Sequence, residues 1–303
     1  MSIATLPNPA IAQLPDPSFV ETKALIVAAV RKVTTLATLP EVTTRIVATV
    51  EDPRSSASQL HKIISHDPAL VTRILKVVNS AFYGLPGQIG SVERAIVLLG
   101  LNAVKNLAVA ASLGQLFRGV KLCEGFTAKD LWTHCVAVAV TARELAKQMR
   151  FPLADEAFLA GLIHDVGILV ELHVYPEKLR LVCETVQKEG GDFCQTERQI
   201  CGVDHQQLGE ALAEQWKFTQ ACQQVAGCHH RPHANSDQSR MLETIVYIAD
   251  TICARNHKGF SLTAEHQILD PAVLDAAGIS PAIIEKTQAN LDKVIEAATV
   301  ALG

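Results

Sequence analysis

The sequence has few aromatic residues and little charge, and both shortages exclude classes of protein. Aromatic residues make up 5% of the 303 positions, charged residues make up 19%, and the net charge is −4. A chain with so small a negative charge has no global attraction for nucleic acid or an anionic membrane, and it carries no direct nucleic-acid signature. Because 49% of the residues are hydrophobic, the composition is typical of a globular protein and not of a disordered one.

Long hydrophobic runs and signal-peptide features are absent as well. No apolar run approaches the length of a membrane span, so we expect no membrane partner. The first 20 residues lack a basic region and contain four prolines, Pro7, Pro9, Pro15 and Pro17. The sequence therefore predicts a loose N-terminal tail over residues 1–18 and not a signal peptide.

Close cysteine pairs are also lacking. None of the eight cysteines belongs to a C-x-x-C pair, and most of them lie in apolar patterns of helical spacing. We expect them to be reduced residues of a hydrophobic core. Because disulfides persist mainly in oxidising compartments, this cysteine usage predicts a cytoplasmic protein.

Strand alternation, hairpin signals and fixed-period repeats are not found, and apolar residues recur at helical spacing almost throughout. The pattern predicts an all-α, multi-helix bundle, with an N-terminal helical subdomain over 19–122 and a second helical subdomain over 123–303. Asp67-Pro68 is a helix-start signature, and Gly84 is typical of a helix end. In the second half, helices are predicted from 155 to 174 and near 177–189, 196–216, 220–230, 237–256 and 281–303.

A histidine and an aspartate stand together in the apolar stretch AGLIHDVGIL, residues 160–169. A buried carboxylate without partners costs several kcal/mol or loses its charge. Gly161 and Gly167 flank the pair, and glycines in a helix are tolerated where another group must come close. His164 and Asp165 therefore need either polar partners or a cation.

Other helices offer partners at inward positions. These residues are His134, His205, His229 and Asp250, with His230 beside His229. Adjacent helical residues project about 100° apart, so both histidines can serve only near a helix end, which Pro232 favours. A buried histidine taken singly is more often a hydrogen-bonded core residue than a ligand. The joint pattern instead favours a divalent metal such as iron, manganese or zinc.

The order of these residues resembles the HD superfamily of metal-dependent phosphohydrolases, and it is most similar to the HD-GYP branch. The resemblance implies a binuclear metal centre in which Asp165 bridges the two ions. It also implies an acidic ligand one turn before the first histidine, where Asp130 stands. Thr127-x-x-Asp130 equally predicts a capping box, so the ligand and cap interpretations of Asp130 both stay open.

The chain departs from HD-GYP enzymes at two places. The resemblance implies a lysine that holds substrate phosphate three positions after the aspartate, and this sequence has Ile168 there. The Gly-Tyr-Pro element expected after the double histidine is replaced by RPHANS. The metal pocket is retained in this interpretation, and the substrate pocket is not.

The first half is similar to the HDOD family, the HD-related output domain. Its matching elements are Leu39-Pro40, Ile64-Ser65-x-Asp67-Pro68-Ala69-Leu70, Asn79-Ser80-Ala81, Tyr83-Gly84, Ala95-Ile96 and Leu99-Gly100. The resemblance covers roughly residues 38–235, because Gly161 to Asp165 and Asp204 to Trp216 also match. It implies an HD-type helical bundle that acts as a bacterial signal-transduction output module, generally without hydrolase activity, together with other signalling proteins.

The expected function is therefore regulatory and non-catalytic, with one or two divalent metal ions, iron being favoured over manganese and zinc. The predicted ligands are His134, His164, Asp165, His205, His229, His230 and Asp250, with Asp130 as a further candidate. One alternative is a metal-dependent phosphohydrolase or phosphodiesterase that acts on a cyclic dinucleotide or a nucleotide. Another is a degenerate site in which the histidines and aspartates only pair with one another.

Overall fold

The computed structural model describes residues 19–36, 40–52, 54–117, 121–232, 238–289 and 291–302. The tail predicted over 1–18 lies outside the described residues. Within them the fold is all-α, as predicted, apart from one short two-stranded ribbon.

Six helices form the N-terminal part of the chain. They are α1 Phe19–Leu36, α2 Glu41–Glu51, α3 Ala57–Ser65, α4 Pro68–Val78, α5 Val92–Leu99 and α6 Leu101–Leu113. The side chains of Ser56, Asp67 and Ser91 accept hydrogen bonds from the first turns of α3, α4 and α5. These caps satisfy amide groups that have no partner within the helix, which explains why the helices begin there.

Helix α4 ends earlier than the sequence predicts. The predicted end is Gly84, but the helix stops at Val78, and Gly84 lies in the following turn with φ 57°. The Asn79 side chain donates to the carbonyls of Leu75 at 2.8 Å and Ile89 at 2.9 Å, and accepts from the Ile89 amide at 2.7 Å. These side-chain hydrogen bonds replace the main-chain hydrogen bonds of a helix and fix the conformation of the turn.

The second half begins with the ribbon, β1 Lys121–Cys123 paired antiparallel with β2 Phe126–Thr127. The sequence did not predict it, because two or three residues are too few to show alternation. Eleven helices follow within the described residues: α7 Ala128–Gln148, α8 Ala154–Ile163, α9 Val166–Val174, α10 Pro176–Glu189, α11 Phe193–Cys201, α12 His205–Gln215, α13 Gln220–Cys228, α14 Gln238–Arg255, α15 Pro271–Ala276, α16 Pro281–Gln288 and α17 Leu291–Leu302.

Three helices that the sequence predicts as continuous are each interrupted, and the one over 281–303 divides into α16 and α17. The predicted helix over 155–174 divides into α8 and α9 at His164 and Asp165, and the one over 196–216 divides into α11 and α12. Gly202, with φ 81°, ends α11 in the left-handed region, and the Asp204 side chain caps α12. A left-handed residue followed by a cap ends one helix and starts the next.

Helix α7 is the central element of the second half, since α8, α14, α16 and α17 all pack against it. Helix α12 packs against α9 and α13. One continuous hydrophobic core extends through both halves, from Ala29 on α1 to Leu302 on α17. The division of the chain at residues 122 and 123 stays a prediction.

One stretch among the described residues, Ala154–Val174, is long and apolar enough by length and composition to cross a membrane. Its most apolar window is 89% buried inside the protein. The stretch comprises α8 and α9 with the His164-Asp165 junction between them, and α7, α12, α13 and α14 pack against it.

Candidate metal centre

Seven of the eight predicted ligands converge on one point in the core. They come from α7, the junction between α8 and α9, the start of α12, the end of α13 and the middle of α14: His134, His164, Asp165, His205, His229, His230 and Asp250. Six of the seven side chains are fully buried, and that of His230 is 8% exposed. The cluster therefore combines five imidazoles and two carboxylates away from solvent.

Helix ends allow neighbouring residues to face the same point. Consecutive side chains within a helix diverge by about 100°. His164 and Asp165 can face the same point because they lie at the junction between α8 and α9. His229 and His230 can do so because α13 ends at Cys228. The predicted helix end at the double histidine is thus present in the structure.

Two glycines let the helices approach closely enough to bring the ligands together. A Cβ atom at Gly167 would lie 1.8 Å from the main-chain oxygen of His205 and 2.9 Å from the amide nitrogen of Gly209. A Cβ atom at Gly161 would lie 3.0 Å from the Cα atom of Ala139 on α7. The first turn of α9 therefore lies directly against the first turn of α12, and only glycine fits at position 167.

Each of the five imidazoles has an acceptor for its Nδ1–H outside the cluster. The pairs are His134 with the Lys258 carbonyl at 3.1 Å, His164 with the Gly161 carbonyl at 2.7 Å, His205 with Glu197 Oε2 at 2.7 Å, His229 with the Val225 carbonyl at 3.2 Å and His230 with Gln267 Oε1 at 2.9 Å. A histidine that donates from Nδ1 presents Nε2 as its metal-binding atom. All five Nε2 atoms accordingly face the centre.

The spacing of the Nε2 atoms fits a shared ion. His205 Nε2 lies 3.0 Å from His230 Nε2 and 3.4 Å from His229 Nε2, and Asp165 Oδ1 lies 3.4 Å from His205 Nε2. Two nitrogen ligands bound to one ion at about 2.0–2.1 Å, at angles of about 90–110°, are separated by about 2.9–3.4 Å. The four donor atoms thus have the separations that ligands of one metal ion adopt.

Three ligand atoms of the cluster have no hydrogen-bond partner although they are buried. These atoms are His164 Nε2, Asp165 Oδ1 and Asp250 Oδ2. A buried polar atom without a partner costs about 1–3 kcal/mol, and more when it carries charge. A cation at the centre would satisfy all three, so the residues present fit a metal ion.

Asp165 divides the donors into two sets. Its Oδ1 lies 3.3 Å from His229 Nε2, whereas its Oδ2 lies 3.3 Å from His164 Nε2 and 3.9 Å from His134 Nε2. Asp250 Oδ1 belongs to the second set, 3.0 Å from His134 Nε2. One set contains His205, His229 and His230, the other contains His134, His164 and Asp250, and Asp165 joins them. The two sets provide enough ligands for two ions that share one carboxylate.

The protonation states of the cluster also suit metal binding. Burial lowers the pKa of His229 to about 4 and that of His230 to about 3, so both rings are neutral near pH 7. Burial alone would raise the pKa of Asp165, but the neighbouring His164, His229 and His205 side chains outweigh burial and hold the pKa well below its usual range. Neutral imidazoles and ionised carboxylates are the forms that bind a metal.

His205 differs from the other two rings of its set. Burial opposes its charge, but the neighbouring Cys194 and Asp165 side chains outweigh burial and raise the pKa of His205 to about 10. Without metal, the Asp165 carboxylate near its Nε2 favours a second proton on this ring. One proton can form a hydrogen bond across only one of the short contacts around His205 Nε2. A bound metal would displace this proton.

Two glutamates behind His205 were not identified from the sequence. Glu197 Oε2 accepts hydrogen bonds from both the Nδ1–H and the main-chain N–H of His205, at 2.7 and 3.1 Å. Glu171 lies next to Glu197, and neither oxygen of Glu171 has a partner. Burial is the main cause that raises the pKa of both carboxyl groups well above the usual range. Glu171 interrupts the apolar run VGILVELHV, which is the signal that could have revealed it.

Asp130 lies outside the cluster. Its Oδ2 accepts hydrogen bonds from the amide and the hydroxyl of Thr127, at 2.7 and 2.6 Å, which completes the capping box of α7. Of the two interpretations left open by the sequence, these contacts favour the cap. We therefore leave Asp130 out of the proposed ligand set.

The position that differs from HD-GYP enzymes is remote from solvent, since Ile168 is fully buried on α9.

A pocket of about 440 Å³ lies beside the cluster, and its walls include Phe193, His230, Arg231, Thr263 and Gln267. Of the seven clustered residues, His230 alone lines this pocket. Most of the RPHANS segment, residues 233–237, lies outside the described residues.

The chain is similar to several known proteins in sequence and in fold. The family model of the HDOD domain matches residues 36–232. An uncharacterized protein of Treponema pallidum (strain Nichols) is 27% identical over 216 residues, which are 71% of this chain. That alignment spans 41% of the Treponema protein, so the chain matches less than half the length of this relative.

Solved structures share the architecture. A Shewanella amazonensis SB2B protein, whose name assigns it provisionally to the phosphohydrolases, has a TM-score of 0.73 at 25% identity, covering 92% of this chain and 98% of its own. An HDOD domain protein of unknown function from Geobacter sulfurreducens has a TM-score of 0.77 at 22% identity with the same coverage. A protein from Marinobacter aquaeolei VT8, named provisionally for signal transduction, has a TM-score of 0.73 at 21% identity over 97% of this chain and 68% of its own.

Proposed function

The chain belongs to the HDOD family, and from this premise we propose that it is a regulatory output protein of bacterial signal transduction that binds two divalent metal ions without hydrolysing a substrate. The family is the one that the sequence motifs predicted, and the matched residues 36–232 nearly coincide with the predicted 38–235. Its partners in this proposal are other signalling proteins of the cytoplasm. The absence of disulfides among the eight cysteines, all within described ranges, supports a reducing compartment.

The metal part of the proposal rests on one observation, the surplus of ligand atoms that face one another without partners. Five Nε2 atoms and two carboxylates converge, and three of these ligand atoms are buried without any hydrogen bond. The proposed ligands are His205, His229 and His230 in one set, His134, His164 and Asp250 in the other, with Asp165 between them. Imidazole and carboxylate donors without thiolate suit iron, manganese or zinc, and iron is our first choice.

The chemistry that such ions supply when bound is positive charge and Lewis acidity at a buried point. The chain's own residues determine whether that chemistry reaches a substrate. Ile168 is fully buried and carries no charge, so it cannot hold a phosphate. Arg231 lines the pocket beside His230, but its guanidinium pairs with Asp192 at 3.5 Å. These two features support a structural or sensing role for the metal and not hydrolysis.

The alternative function is a metal-dependent phosphohydrolase or phosphodiesterase. The observation in its favour is the pocket, because about 440 Å³ is within the range of small-ligand sites and the pocket reaches His230. The provisional name of the Shewanella protein points the same way at 25% identity. We rank this alternative second because, among the described residues, Ile168 stands where a lysine is expected and the arginine that lines the pocket, Arg231, is paired with Asp192.

Elemental analysis of the full chain, purified without a metal-affinity column, tests the metal part. We expect about two equivalents of a divalent metal in the wild type, a strong loss in Asp165→Asn, and no change in the control Asp275→Asn on exposed α15. A wild-type protein that contains no metal and takes none up would remove this part of the proposal. Turnover of cyclic dinucleotides or nucleotides that Asp165→Asn abolishes would establish the alternative function.

A further inference from the structure

His230 is held differently from the other histidines of the centre. It lies beyond the end of α13, so no helix fixes its backbone. Its main-chain N–H instead donates to Gln206 Oε1 at 3.2 Å, and its Nδ1–H donates to Gln267 Oε1 at 2.9 Å. The rings of His134, His164 and His229 all use main-chain carbonyls, which side-chain motion does not displace. Two side-chain amides therefore hold His230, and its Nδ1 also lies 3.5 Å from Asp250 Oδ2.

Gln267 connects His230 to the helix that carries Asp250. While its Oε1 accepts from His230, its Nε2 donates to Thr251 Oγ1 at 2.6 Å. Thr251 follows Asp250 on α14, and its hydroxyl donates to the Tyr247 carbonyl at 2.7 Å. Both ends of the Gln267 amide are thus engaged, which fixes its orientation and the direction of the His230 ring.

His230 also faces a pocket into which its ring could move. The other six residues of the cluster are fully buried, and among all seven only His230 lines the 440 Å³ pocket. Gln267 lines the same pocket. If Gln267 released the ring, the pocket would have room for an imidazole, and solvent there could satisfy the freed Nδ1–H.

We propose that Gln206 and Gln267 are positioning residues that hold His230 on the metal centre, and that His230 is the exchangeable ligand of that centre. When the two amides release His230, a coordination position opens toward the pocket, where water or a small anion can occupy it. The proposal rests on the proposed function, because it concerns the same metal centre. It adds a route by which a signal in the pocket reaches the metal.

The test uses the full chain, freed of metal by a chelator and then titrated with Co²⁺ alone. The visible spectrum of Co²⁺ reports the number and type of its ligands. In Gln267→Leu we expect 10–100-fold weaker Co²⁺ binding, the range typical for loss of an outer hydrogen bond, and a spectrum with one nitrogen ligand replaced. Azide, added as a probe anion, should bind the Co²⁺ form of this variant at least tenfold more tightly than that of the wild type.

Two further variants separate positioning from packing. Gln267→Glu keeps an oxygen acceptor for His230 but loses the donor to Thr251 Oγ1, so it should bind Co²⁺ more tightly than Gln267→Leu and return the spectrum toward that of the wild type. Gln223→Leu on α13 removes a glutamine that bonds only the Phe218 carbonyl, and it should change neither. If Gln267→Leu fails to fold, Gln206→Leu replaces it, because it removes the other amide that holds His230.

The outcomes distinguish this inference from the proposed function. If the wild type binds no Co²⁺, the proposed function fails together with the inference. If the wild type binds Co²⁺ and Gln267→Leu keeps the same affinity, spectrum and azide response, the inference alone is overturned. Weaker binding in Gln267→Leu that Gln267→Glu does not restore even in part also overturns it, because the effect is then one of packing.

Discussion

The carboxylate of Glu197 offers a direct test of how the centre holds its ligands. Glu197 is fully buried and accepts two hydrogen bonds from His205, at 2.7 Å from the ring and 3.1 Å from the backbone. Replacing it with leucine keeps the volume and removes both acceptors. The His205 ring then loses the bond that directs its Nε2 toward the centre.

The magnitude follows from these two bonds. Loss of an outer carboxylate partner weakens metal binding by about 10–100-fold, which corresponds to about 1.4–2.7 kcal/mol. Each buried donor left without an acceptor costs about 1–3 kcal/mol of folding free energy. Part of that cost is offset, because leucine also removes a carboxyl group whose charged form burial disfavours. Glu197→Gln keeps one oxygen as acceptor, so metal affinity should decrease from wild type to glutamine to leucine.

The assay is a metal titration in competition with a chelator, combined with thermal unfolding with and without metal. Metal should raise the unfolding temperature of Glu197→Leu less than that of the wild type, because stabilisation follows the ratio of free metal to its dissociation constant. Glu189→Leu, at an exposed position of α10, is the matched control. A folded Glu197→Leu protein that binds metal as tightly as the wild type would refute the reasoning.

Three other substitutions give separate expectations. Gly167→Ala places a Cβ atom 1.8 Å from the His205 carbonyl, so urea unfolding should show a loss of about 1–3 kcal/mol together with lower metal content; unchanged values would contradict this packing. Because burial raises the pKa of Glu171, the folded protein keeps a proton that the unfolded chain releases above about pH 5, and the free energy of unfolding falls as the pH rises. Glu171→Gln should reduce this pH dependence between about pH 5 and 8, as measured by urea titrations. Asp130→Ala should cost about 1 kcal/mol of stability as a lost cap and leave the metal content unchanged, whereas loss of an ion would make Asp130 a ligand.

The helices and most of the site could be predicted because they leave strong local signals. An imidazole beside a carboxylate within AGLIHDVGIL conflicts with its apolar surroundings, and that conflict identifies His164 and Asp165 without any structure. The division between α8 and α9 at the same two residues left no such signal. Both flanking segments are buried on nearly all sides, so periodicity could not reveal where one helix ended.

The outer partners of the histidines were harder to predict, because they depend on contacts between distant segments. Glu197 lies in FCQTERQIC, where a glutamate is ordinary for a partly exposed helix, and only tertiary packing, which places Glu171 and His205 beside it, buries it. Gln267 belongs to the segment after α14 and meets His230 across 37 positions of sequence. Amide side chains are common on surfaces, so their role here follows from tertiary structure alone.

Either protons or metal ions can stabilise the cluster. The two cases differ in which buried nitrogen and oxygen atoms they leave without a partner. Each Nδ1–H already donates outward, so any hydrogen bond inside the cluster requires a ring with a second proton. Against burial, Asp165 raises the pKa of His164, and Cys194 and Asp165 raise that of His205, so such a proton is favoured on these two rings. Burial lowers the pKa of His229 and His230 and keeps both rings unprotonated near pH 7. Asp165 Oδ1 and Asp250 Oδ2 nevertheless have no hydrogen-bond partner in a fully buried site. Metal ions would engage these oxygens and the inward nitrogens together, which is the physical reason to prefer a metal centre over a site of paired side chains.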